Sequence, residues 1–207
     1  MENYLTNIAL EHLHRPGYRA LAYDANLLVY QYDSSRGRRV AKHVIERKPE
    51  EYENAKLWYT FLGFDVNAAT VLFDPSGRDP RYLTSVDMPW LGYEIRYVPH
   101  ALEICPPPPP SCPPFTGLTK EKAENMLGNT RALLDEFYIL TGLLHVDFYH
   151  GHPDYEVFNV TYHPSYNFFI FIDAASFEAP RTIDDEFRFE SNFNEFKEYV
   201  YDNLVIG

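Results

Sequence analysis

The sequence predicts a mixed α+β fold in two parts, and three features of the 207 residues indicate it. Short runs of β-branched and aromatic residues alternate with turn residues in the first half. One segment in each half carries apolar residues at a helical spacing. Seven of the sixteen prolines lie between Pro106 and Pro114, which is typical of a linker or a long surface loop. We therefore expect a first part over residues 1–104, a proline-rich linker over 105–114 and a second part over 115–207.

The first part is predicted to form an antiparallel sheet with one helix. The strands are expected at residues 27–32, 39–45, 69–73 and 91–98. The polar residues 33–37 separate the first two strands, so these strands should form a hairpin. Pro49 and the glutamates after it favour a helix start, and Gly63 marks the expected end of that helix. Residues 74–77 are expected to form a turn between the last two strands.

The second part is predicted to begin with a long helix. Thr119 is suited to cap this helix, and Gly142 is suited to end it. A polar loop over residues 145–154 follows, and then two short strands at 157–161 and 167–172. The rest of the chain is rich in Asp and Glu and is expected to be an acidic tail.

The net charge of −12 is concentrated near the end of the chain. Residues 140–207 hold twelve Asp and Glu but only three Lys and Arg. We therefore expect neither a nucleic acid nor a membrane as partner, because both need a basic protein face. A protein partner stays open. The acidic segment itself has two interpretations, a solvated tail or a cation site.

Several features favour a cytoplasmic protein. No apolar run reaches the roughly 18 residues of a membrane span, and the polar first segment lacks the pattern of a secretory signal. Cys105 and Cys112 flank five consecutive prolines. A polyproline segment would hold their Cα atoms about 20 Å apart, beyond the reach of a disulfide. We interpret both as free thiols of a reducing compartment.

One constellation of polar residues lies in the second part. His152-Pro153-Asp154 is followed by Asn159, and Asp173 comes at the end of the last predicted strand. This pattern resembles the protein-kinase-like phosphotransferase family, whose catalytic loop reads H-x-D-x-x-x-x-N and whose D-F-G motif follows the next hairpin. The resemblance implies a two-lobed kinase-like fold with a reduced C-lobe. It implies Asp154 as the catalytic base, in a loop with His152. It also implies Asn159 and Asp173 as ligands of Mg²⁺.

The first part contains residues in the matching order. The strand that holds Lys42 is similar to the V-A-I-K strand of that family, which implies that Lys42 contacts the phosphates of ATP. A glutamate of the next helix should hold this lysine. Glu53 fits the helical pattern around it, and Glu50 and Glu51 are close competitors. The segment 90–97 would be the hinge strand whose backbone meets the adenine.

The chain also departs from the family pattern. Residues 25–36 contain no glycine, although a glycine-rich loop is expected there, and Ala175 stands in place of the D-F-G glycine. Only 34 residues follow Asp173, too few for the helical half with which protein kinases bind peptides. Two functions therefore stay open. One is ATP- and Mg²⁺-dependent phosphoryl transfer to a hydroxyl acceptor. The other is a catalytically inactive, pseudokinase-type interaction module.

A third function uses the same polar loop. His150, His152 and Asp154 form an H-x-H-x-D string, and His145 and Asp147 lie nearby in the sequence. Imidazole and carboxylate groups at such spacing bind zinc in hydrolases, where the metal activates a water molecule. A metal-dependent hydrolase is therefore a further alternative.

Overall fold

A computed structural model of the chain confirms the mixed α+β class. The structure describes residues 5, 7–9, 11, 14–23, 26–46, 50–74, 81–98, 101–104, 118–151, 156–173 and 176–204. The chain divides into two compact units, Met1–Trp90 and Leu91–Gly207. This division comes earlier in the chain than the predicted one, which follows residue 104.

An antiparallel sheet of five strands forms the first unit. Its strands are β1 (Arg19–Tyr23), β2 (Leu27–Ser34), β3 (Gly37–Glu46), β4 (Asn67–Asp74) and β5 (Arg81–Pro89). Their order across the sheet is β1-β2-β3-β5-β4, and all neighbours are antiparallel. The strand β3 is therefore central and is hydrogen-bonded along both edges.

The predicted hairpin is formed by β2 and β3. Ser34 lies opposite Gly37 at the turn, and the pairing continues to Leu27 opposite Val44. Gly37 has a φ of 99°, in the left-handed region that side chains disfavour. A hairpin loop that ends in such a glycine matches the twist of its two strands. The polar run that ends in glycine thus marks the turn correctly.

The strand β5 differs from the prediction, which places no strand between residues 74 and 90. Its polar residues, among them Thr84 and Asp87, interrupt the β-branched pattern by which strands are recognised. Leu83 and Val86 are nevertheless buried, because β5 lies between β3 and β4. The strand β1 is likewise additional to the prediction. Most of the expected turn at 74–77 lies outside the described residues.

Helix α1 (Glu50–Phe61) follows β3 as predicted. Pro49 lies outside the described residues, and Gly63, with a φ of 80°, comes two residues after the helix. The buried residues of α1 are Ala55, Trp58 and Tyr59. A second buried group joins the sheet to helical residues near the N-terminus and consists of Leu5, Ala9, Leu28, Tyr30, Ala41, Ile45 and Leu83.

The second unit contains a further antiparallel sheet and a separate two-stranded sheet. Its described strands are β6 (Tyr93–Val98), β7 (Ala101–Ile104), β8 (Leu144–His145), β9 (Tyr149–Gly151), β10 (Glu156–Tyr162), β11 (Ile170–Phe171) and β12 (Phe177–Glu178). The main order is β11-β10-β6-β7, with β9 also paired to β10, and β8 pairs separately with β12. Because β6 pairs with β10, the segment 93–104 belongs to the second unit. The predicted linker at 105–114, with Cys105 and Cys112, lies outside the described residues.

Helix α2 (Lys120–Thr141) confirms the long helix predicted after residue 118. The side chain of Thr119 accepts a hydrogen bond from the backbone N–H of Lys122, at 3.2 Å. At the other end Gly142 has a φ of 72° and donates its N–H to the carbonyl oxygen of Tyr138. Both caps satisfy backbone groups that have no partner inside the helix.

The acidic end of the chain is a helix and not the expected tail. Helix α3 spans Ile183–Leu204. Its buried residues are Phe189, Phe193, Phe196, Tyr199 and Val200. They recur every three or four residues, so one face of α3 packs into the core while most of its carboxylates stay exposed. Because charged residues are frequent in this segment, the regular spacing of its apolar residues is difficult to recognise in the sequence.

Candidate functional site

The hairpin of β10 and β11 places Asn159 next to the segment that ends in Asp173. Val160 lies opposite Phe171 in the hairpin register. The backbone N–H of Ile172 donates to the carbonyl oxygen of Asn159, at 2.8 Å. The two residues predicted as metal ligands are therefore held by adjacent strands.

The side chain of Asn159 connects β10 to the segment after β8. Its Nδ2 donates a hydrogen bond to the carbonyl oxygen of Asp147, at 2.9 Å, and its backbone N–H donates to the carbonyl oxygen of Phe148, at 2.8 Å. Asn159 is only 4% exposed. These bonds fix the carboxamide group and direct its nitrogen towards Asp147. The amide oxygen is the atom by which such a group binds a hard cation.

Asp173 has an unusual backbone conformation. Its φ is 52°, and it is the only non-glycine residue with a positive φ in the described part of the chain. Its carbonyl oxygen accepts a hydrogen bond from the backbone N–H of Ser176, at 2.8 Å. Its carboxylate also accepts a longer hydrogen bond from the hydroxyl of Ser176, at 3.4 Å. Aspartate adopts this conformation more readily than most residues with a side chain, and backbone conformations of this kind cluster at functional sites.

His145 holds the residue immediately before Asp173. Its ring is fully buried and makes edge contacts with the rings of Phe148, Phe171 and Phe177, at centroid distances of 5.8, 5.0 and 4.9 Å. Its Nε2 lies 3.0 Å from the carbonyl oxygen of Ile172. Because a carbonyl can only accept, Nε2 carries the proton and donates this bond.

The other ring nitrogen of His145 is buried without a hydrogen-bond partner. Among the described residues, this Nδ1 is the only buried side-chain nitrogen or oxygen atom in that state. Burial lowers the pKa of His145 from 6.5 to about 4, so the ring is neutral at neutral pH. A buried polar atom without a partner is destabilising, which suggests that His145 is kept for its bond to Ile172.

These contacts join four residues that we call the His145 cluster: His145, Asp147, Asn159 and Asp173. Asp147 is exposed. His145-Val146-Asp147 has the same H-x-D form as the predicted string His152-Pro153-Asp154. That other string, with His152 and Asp154, lies outside the described residues.

The spacing to Asn159 explains why the sequence predicts Asp154, and not Asp147, as the catalytic base. Asn159 follows Asp154 by five residues, as in the family pattern, but it follows Asp147 by twelve. The signal in the sequence that favours the earlier string is the apolar residue directly before it, Leu144. Leu144 is indeed buried, on β8.

The two residues predicted in the first unit are not joined by an ion pair. Lys42 is half-buried on β3, opposite Val86 of β5. Glu53 is exposed on α1, and the ion pairs of the described residues do not include one between Glu53 and Lys42. The side chains of the competing Glu50 and Glu51 lie outside the described part.

Backbone groups of the predicted hinge are already hydrogen-bonded. The N–H of Trp90 donates to the carbonyl oxygen of Arg38, at 2.9 Å. The carbonyl oxygen of Leu91 accepts from the hydroxyl of Thr161, also at 2.9 Å. The following strand β6 is paired with β10 on one edge and with β7 on the other. These groups would have to exchange partners to bind an adenine ring.

The first unit contains a second buried polar group, which we call the Arg39 cluster: Arg39, Asp87, Asp65 and Tyr32. Arg39 is 5% exposed, and its Nε donates to a carboxylate oxygen of Asp87 at 2.8 Å. Its Nη2 donates to the carbonyl oxygens of Asp65 and Asp87, at 3.1 and 3.2 Å. Tyr32 donates its hydroxyl to the other oxygen of Asp87, at 2.8 Å. Burial opposes the charge of Arg39, but the bonds to Asp87 outweigh it and raise the pKa of the guanidinium.

A zinc site and a Mg²⁺ site require different groups from the protein. Among the described residues, no three or more His, Cys, Asp and Glu side chains are grouped to hold a metal ion. His145 is enclosed by aromatic rings and bonded to a carbonyl, which does not suit a zinc ligand beside an open water position. Mg²⁺ requires less from the protein, because one or two protein oxygens and the substrate phosphates complete its shell. Asp173 and Asn159 carry a carboxylate and an amide oxygen, which are oxygens of that kind.

No protein-family model matches the chain, and no curated protein matches it. Among the helices of the described residues, none is long and apolar enough to cross a membrane. A function for the chain is therefore inferred from the geometry of the His145 cluster.

Proposed function

We propose that the chain is a kinase-like domain that binds ATP with Mg²⁺ and transfers a phosphoryl group to a hydroxyl acceptor. One observation carries the proposal: hydrogen bonds connect an H-x-D string to Asn159 and, through Ile172, to Asp173. The kinase-like family has the same three parts in the same order. The five-stranded sheet with Lys42 on its third strand, followed by a helix, also supports a kinase-like first lobe.

The proposed site assigns one task to each side chain. Asn159 and Asp173 would hold Mg²⁺ through an amide oxygen and a carboxylate, and Mg²⁺ when bound offsets charge on the phosphates. Asp147 is exposed and would accept the proton of the acceptor hydroxyl. His145 would fix the backbone before Asp173 and so direct its carboxylate. Most of the rate would then come from positioning and electrostatics.

This assignment replaces Asp154 with Asp147 as the base. The reason is the hydrogen bond from Asn159 to the carbonyl oxygen of Asp147, which ties the loop of the base to the metal ligand. The predicted pair of His152 and Asp154 stays a competing hypothesis. Mutations at Asp147 and at Asp154 can distinguish the two hypotheses.

A pseudokinase-type interaction module is the second candidate. It is favoured by the hinge, where the N–H of Trp90 and the carbonyl of Leu91 are already bonded. It is also favoured by the short connection between β1 and β2, where the residues Asp24, Ala25 and Asn26 include no glycine to approach the phosphates. Such a module would keep the fold and would not turn over ATP.

Titration calorimetry with ATP tests the proposal. We expect saturable binding in the presence of Mg²⁺, and at least about tenfold weaker binding when the metal is removed or Asp173 is changed to Asn. Glu195→Gln is the matched control, since it removes one exposed carboxylate from α3 and should bind as the wild type does. If the folded wild type shows no Mg²⁺-dependent binding of ATP, the proposal is wrong. Binding without phosphoryl transfer to water or to added alcohols would favour the interaction module.

A further inference from the structure

The strand β4 forms one edge of the described sheet in the first unit. It is eight residues long and pairs with β5 on its inner side. Ala69, Thr70, Val71 and Leu72 are all exposed, with Val71 at 60% and Leu72 at 49%. Since successive residues of a strand point to opposite faces of its sheet, β4 is open on both faces. Such an edge is a template for pairing with a further strand.

Two backbone hydrogen bonds show which residues of β3 bond to each of its neighbours. The N–H of Trp90, just after β5, donates to the carbonyl oxygen of Arg38, at 2.9 Å. The N–H of Ile45 donates to the carbonyl oxygen of Asn26, just before β2, also at 2.9 Å. The backbone groups of successive residues point alternately to the two sides of a strand. The even-numbered residues of β3 therefore bond to β5, and the odd-numbered ones bond to β2.

The same alternation continues across β5 to β4. Lys42 of β3 lies opposite Val86 of β5, so the even-numbered residues of β5 bond to β3 and the odd-numbered ones bond to β4. Ser85 of β5 lies opposite Ala69 of β4, and this register is regular over residues 67–72. The odd-numbered residues of β4 therefore bond to β5, and the even-numbered ones direct their backbone groups to the free edge.

The free edge consists of the backbone N–H and carbonyl groups of Ala68, Thr70 and Leu72. In the described part of the chain, these groups take part in none of the backbone hydrogen bonds that lie outside helices and strands. Residues 67–73 contain no charged residue and no proline, and the register of β4 is regular as far as Leu72. Charges, prolines and bulges are the devices that keep an exposed edge from pairing. Their absence from this stretch favours an edge that pairs with another strand.

The side chains of β4 match those of a second, antiparallel copy of the same strand. In a two-fold arrangement centred on Thr70, the two Thr70 residues lie opposite each other, which is a favourable cross-strand pair. Ala68 then lies opposite Leu72 of the second copy, and Ala69 lies opposite Val71. Each of these pairs joins a small side chain to a larger one. The outward-facing residues also form the hydrogen-bonded pairs of this register, and each such pair exchanges two hydrogen bonds.

The charge of the chain favours this edge over other surfaces for contact between two copies. Two copies repel each other, because each has a net charge of −12. Residues 67–73 add nothing to that repulsion, and Asp74 would lie opposite the uncharged Val66. An uncharged strand also has no charge with which to select a foreign strand. The occupant that its own sequence specifies is therefore a second copy.

We propose that β4 pairs with β4 of a second copy of the chain, antiparallel and centred on Thr70. The pairing joins two five-stranded sheets into one sheet of ten strands. The interface is isologous, since the same strand contributes both sides. Because few residues take part, the dimer should dissociate on dilution. This assembly goes beyond the proposed phosphoryl transfer and does not depend on it.

Sedimentation velocity over a series of protein concentrations tests the pairing. We expect the wild type to change from monomer to dimer as the concentration rises. Two double variants at the exposed positions Ala69 and Val71 differ only in the sign of one charge. Ala69→Glu with Val71→Glu places like charges opposite each other, whereas Ala69→Lys with Val71→Glu places opposite charges there. The first variant should dimerise at least about tenfold more weakly than the second.

The pair of variants also tests the register. If the pairing were centred on Val71, the Lys and Glu variant would place its two glutamates opposite each other and would be as weak as the variant with Glu at both positions. Equal dimerisation of the two variants would therefore overturn the proposal. So would a wild type that stays monomeric at every concentration.

A proline at Thr70 provides a second test that does not use charge. The N–H of Thr70 points to the free edge, so Thr70→Pro removes no hydrogen bond of the monomer and is tolerated on an edge strand. In the dimer it removes the N–H that each copy donates across the two-fold axis. We expect the variant to keep the circular dichroism spectrum of the wild type and to sediment as a monomer. A folded Thr70→Pro variant that dimerises as the wild type does would contradict the proposal.

Discussion

The two buried polar clusters of this protein differ in how completely their groups are paired. In the Arg39 cluster, the buried guanidinium donates to a carboxylate and to two backbone carbonyls, and the acceptor Asp87 also receives the hydroxyl of Tyr32. In the His145 cluster, one ring nitrogen of His145 has no hydrogen-bond partner, and Asp173 adopts a left-handed backbone. Each feature of the second cluster is unfavourable by itself.

This difference indicates that the Arg39 cluster serves stability and that the His145 cluster serves function. Removing one partner of a buried ion pair leaves a charge without compensation, so a change at Arg39 should mainly lower the stability of the first unit. Strained or unpaired groups persist where the surrounding structure holds them for another purpose. The His145 cluster should therefore determine activity more than stability. Mutations in the two clusters test this contrast.

The largest expected effect is on catalysis, at Asp147. Replacing a general base lowers a rate by about 10²–10⁴-fold. Asp147→Asn should therefore reduce Mg²⁺-ATP-dependent phosphoryl transfer by that order in single-turnover measurements. It should leave the free energy of unfolding nearly unchanged, because the side chain is exposed.

The matched variant is Asp154→Asn, in the competing H-x-D string. We expect it to keep most of the activity. The opposite result, an active Asp147→Asn and an inactive Asp154→Asn, would return the catalytic role to the string that the sequence predicts.

The largest expected effect on stability is at Arg39. Arg39→Met removes a buried cation and leaves Asp87 without its ion-pair partner, while the hydroxyl of Tyr32 still donates to it. Since the side chain of Asp87 is 35% exposed, the loss should be about 2–3 kcal/mol, below that of a wholly buried pair. Urea unfolding measures this change. Arg36→Ala, which breaks an exposed pair with Asp65, is the control and should change stability by less than about 1 kcal/mol. Equal effects of the two changes would contradict the assigned role.

The next effect is a dependence of stability on pH, caused by His145. Its pKa is lowered by burial to about 4 in the folded chain, whereas the unfolded chain has an ordinary value of 6.5. Between these two values the unfolded state binds more protons, so stability falls as the pH drops from 6.5 to 4. It is independent of this group above 6.5 and below 4. The full loss is at most about 3 kcal/mol.

A variant without the titrating ring isolates this contribution. His145→Phe keeps an aromatic ring among Phe148, Phe171 and Phe177, and should reduce the slope of unfolding free energy between pH 6.5 and 4. Unfolding of the wild type and the variant over the same pH series measures the difference. Parallel pH profiles would show that His145 is not the buried neutral group described above.

A smaller effect on stability than those at Arg39 and His145 is expected at Asn159. Asn159→Ala removes the hydrogen bond to the carbonyl oxygen of Asp147, which is worth about 1 kcal/mol. The same change should abolish Mg²⁺-dependent tightening of ATP binding, because it removes the amide oxygen. A variant that binds Mg²⁺-ATP as well as the wild type would remove Asn159 from the site.

Local signals in the sequence predict much of the fold. The hairpin that ends in Gly37, the helix between Thr119 and Gly142, and the strands that carry Asn159 follow from turn, cap and period rules. The same rules do not predict the helix α3 or the strand β5. In α3 the carboxylates obscure a regular row of phenylalanines, and in β5 polar residues occupy a central strand whose burial depends on both neighbours.

The candidate site is predictable in part, because chemistry and spacing carry different information. Asn159 and Asp173 are selected by residue type and by their place around a hairpin, and both can be read from the sequence. The base is selected by spacing alone, which favours Asp154. The link from Asn159 to Asp147 depends on the path of the chain between β8 and β10, which spacing does not determine.

The proposed function requires Asn159 and Asp173 to bind the metal of a nucleotide complex, and NMR with Mn²⁺ in place of Mg²⁺ can detect such binding. With ATP present, bound Mn²⁺ should broaden the side-chain amide signal of Asn159 at lower metal concentration than that of Asn129, which is bonded to Asn167 on the hairpin turn. Asp173→Asn should remove this selective broadening. If Mn²⁺ and ATP leave the Asn159 signal sharp in the wild type, or broaden both amides equally, the His145 cluster is not a metal–nucleotide site.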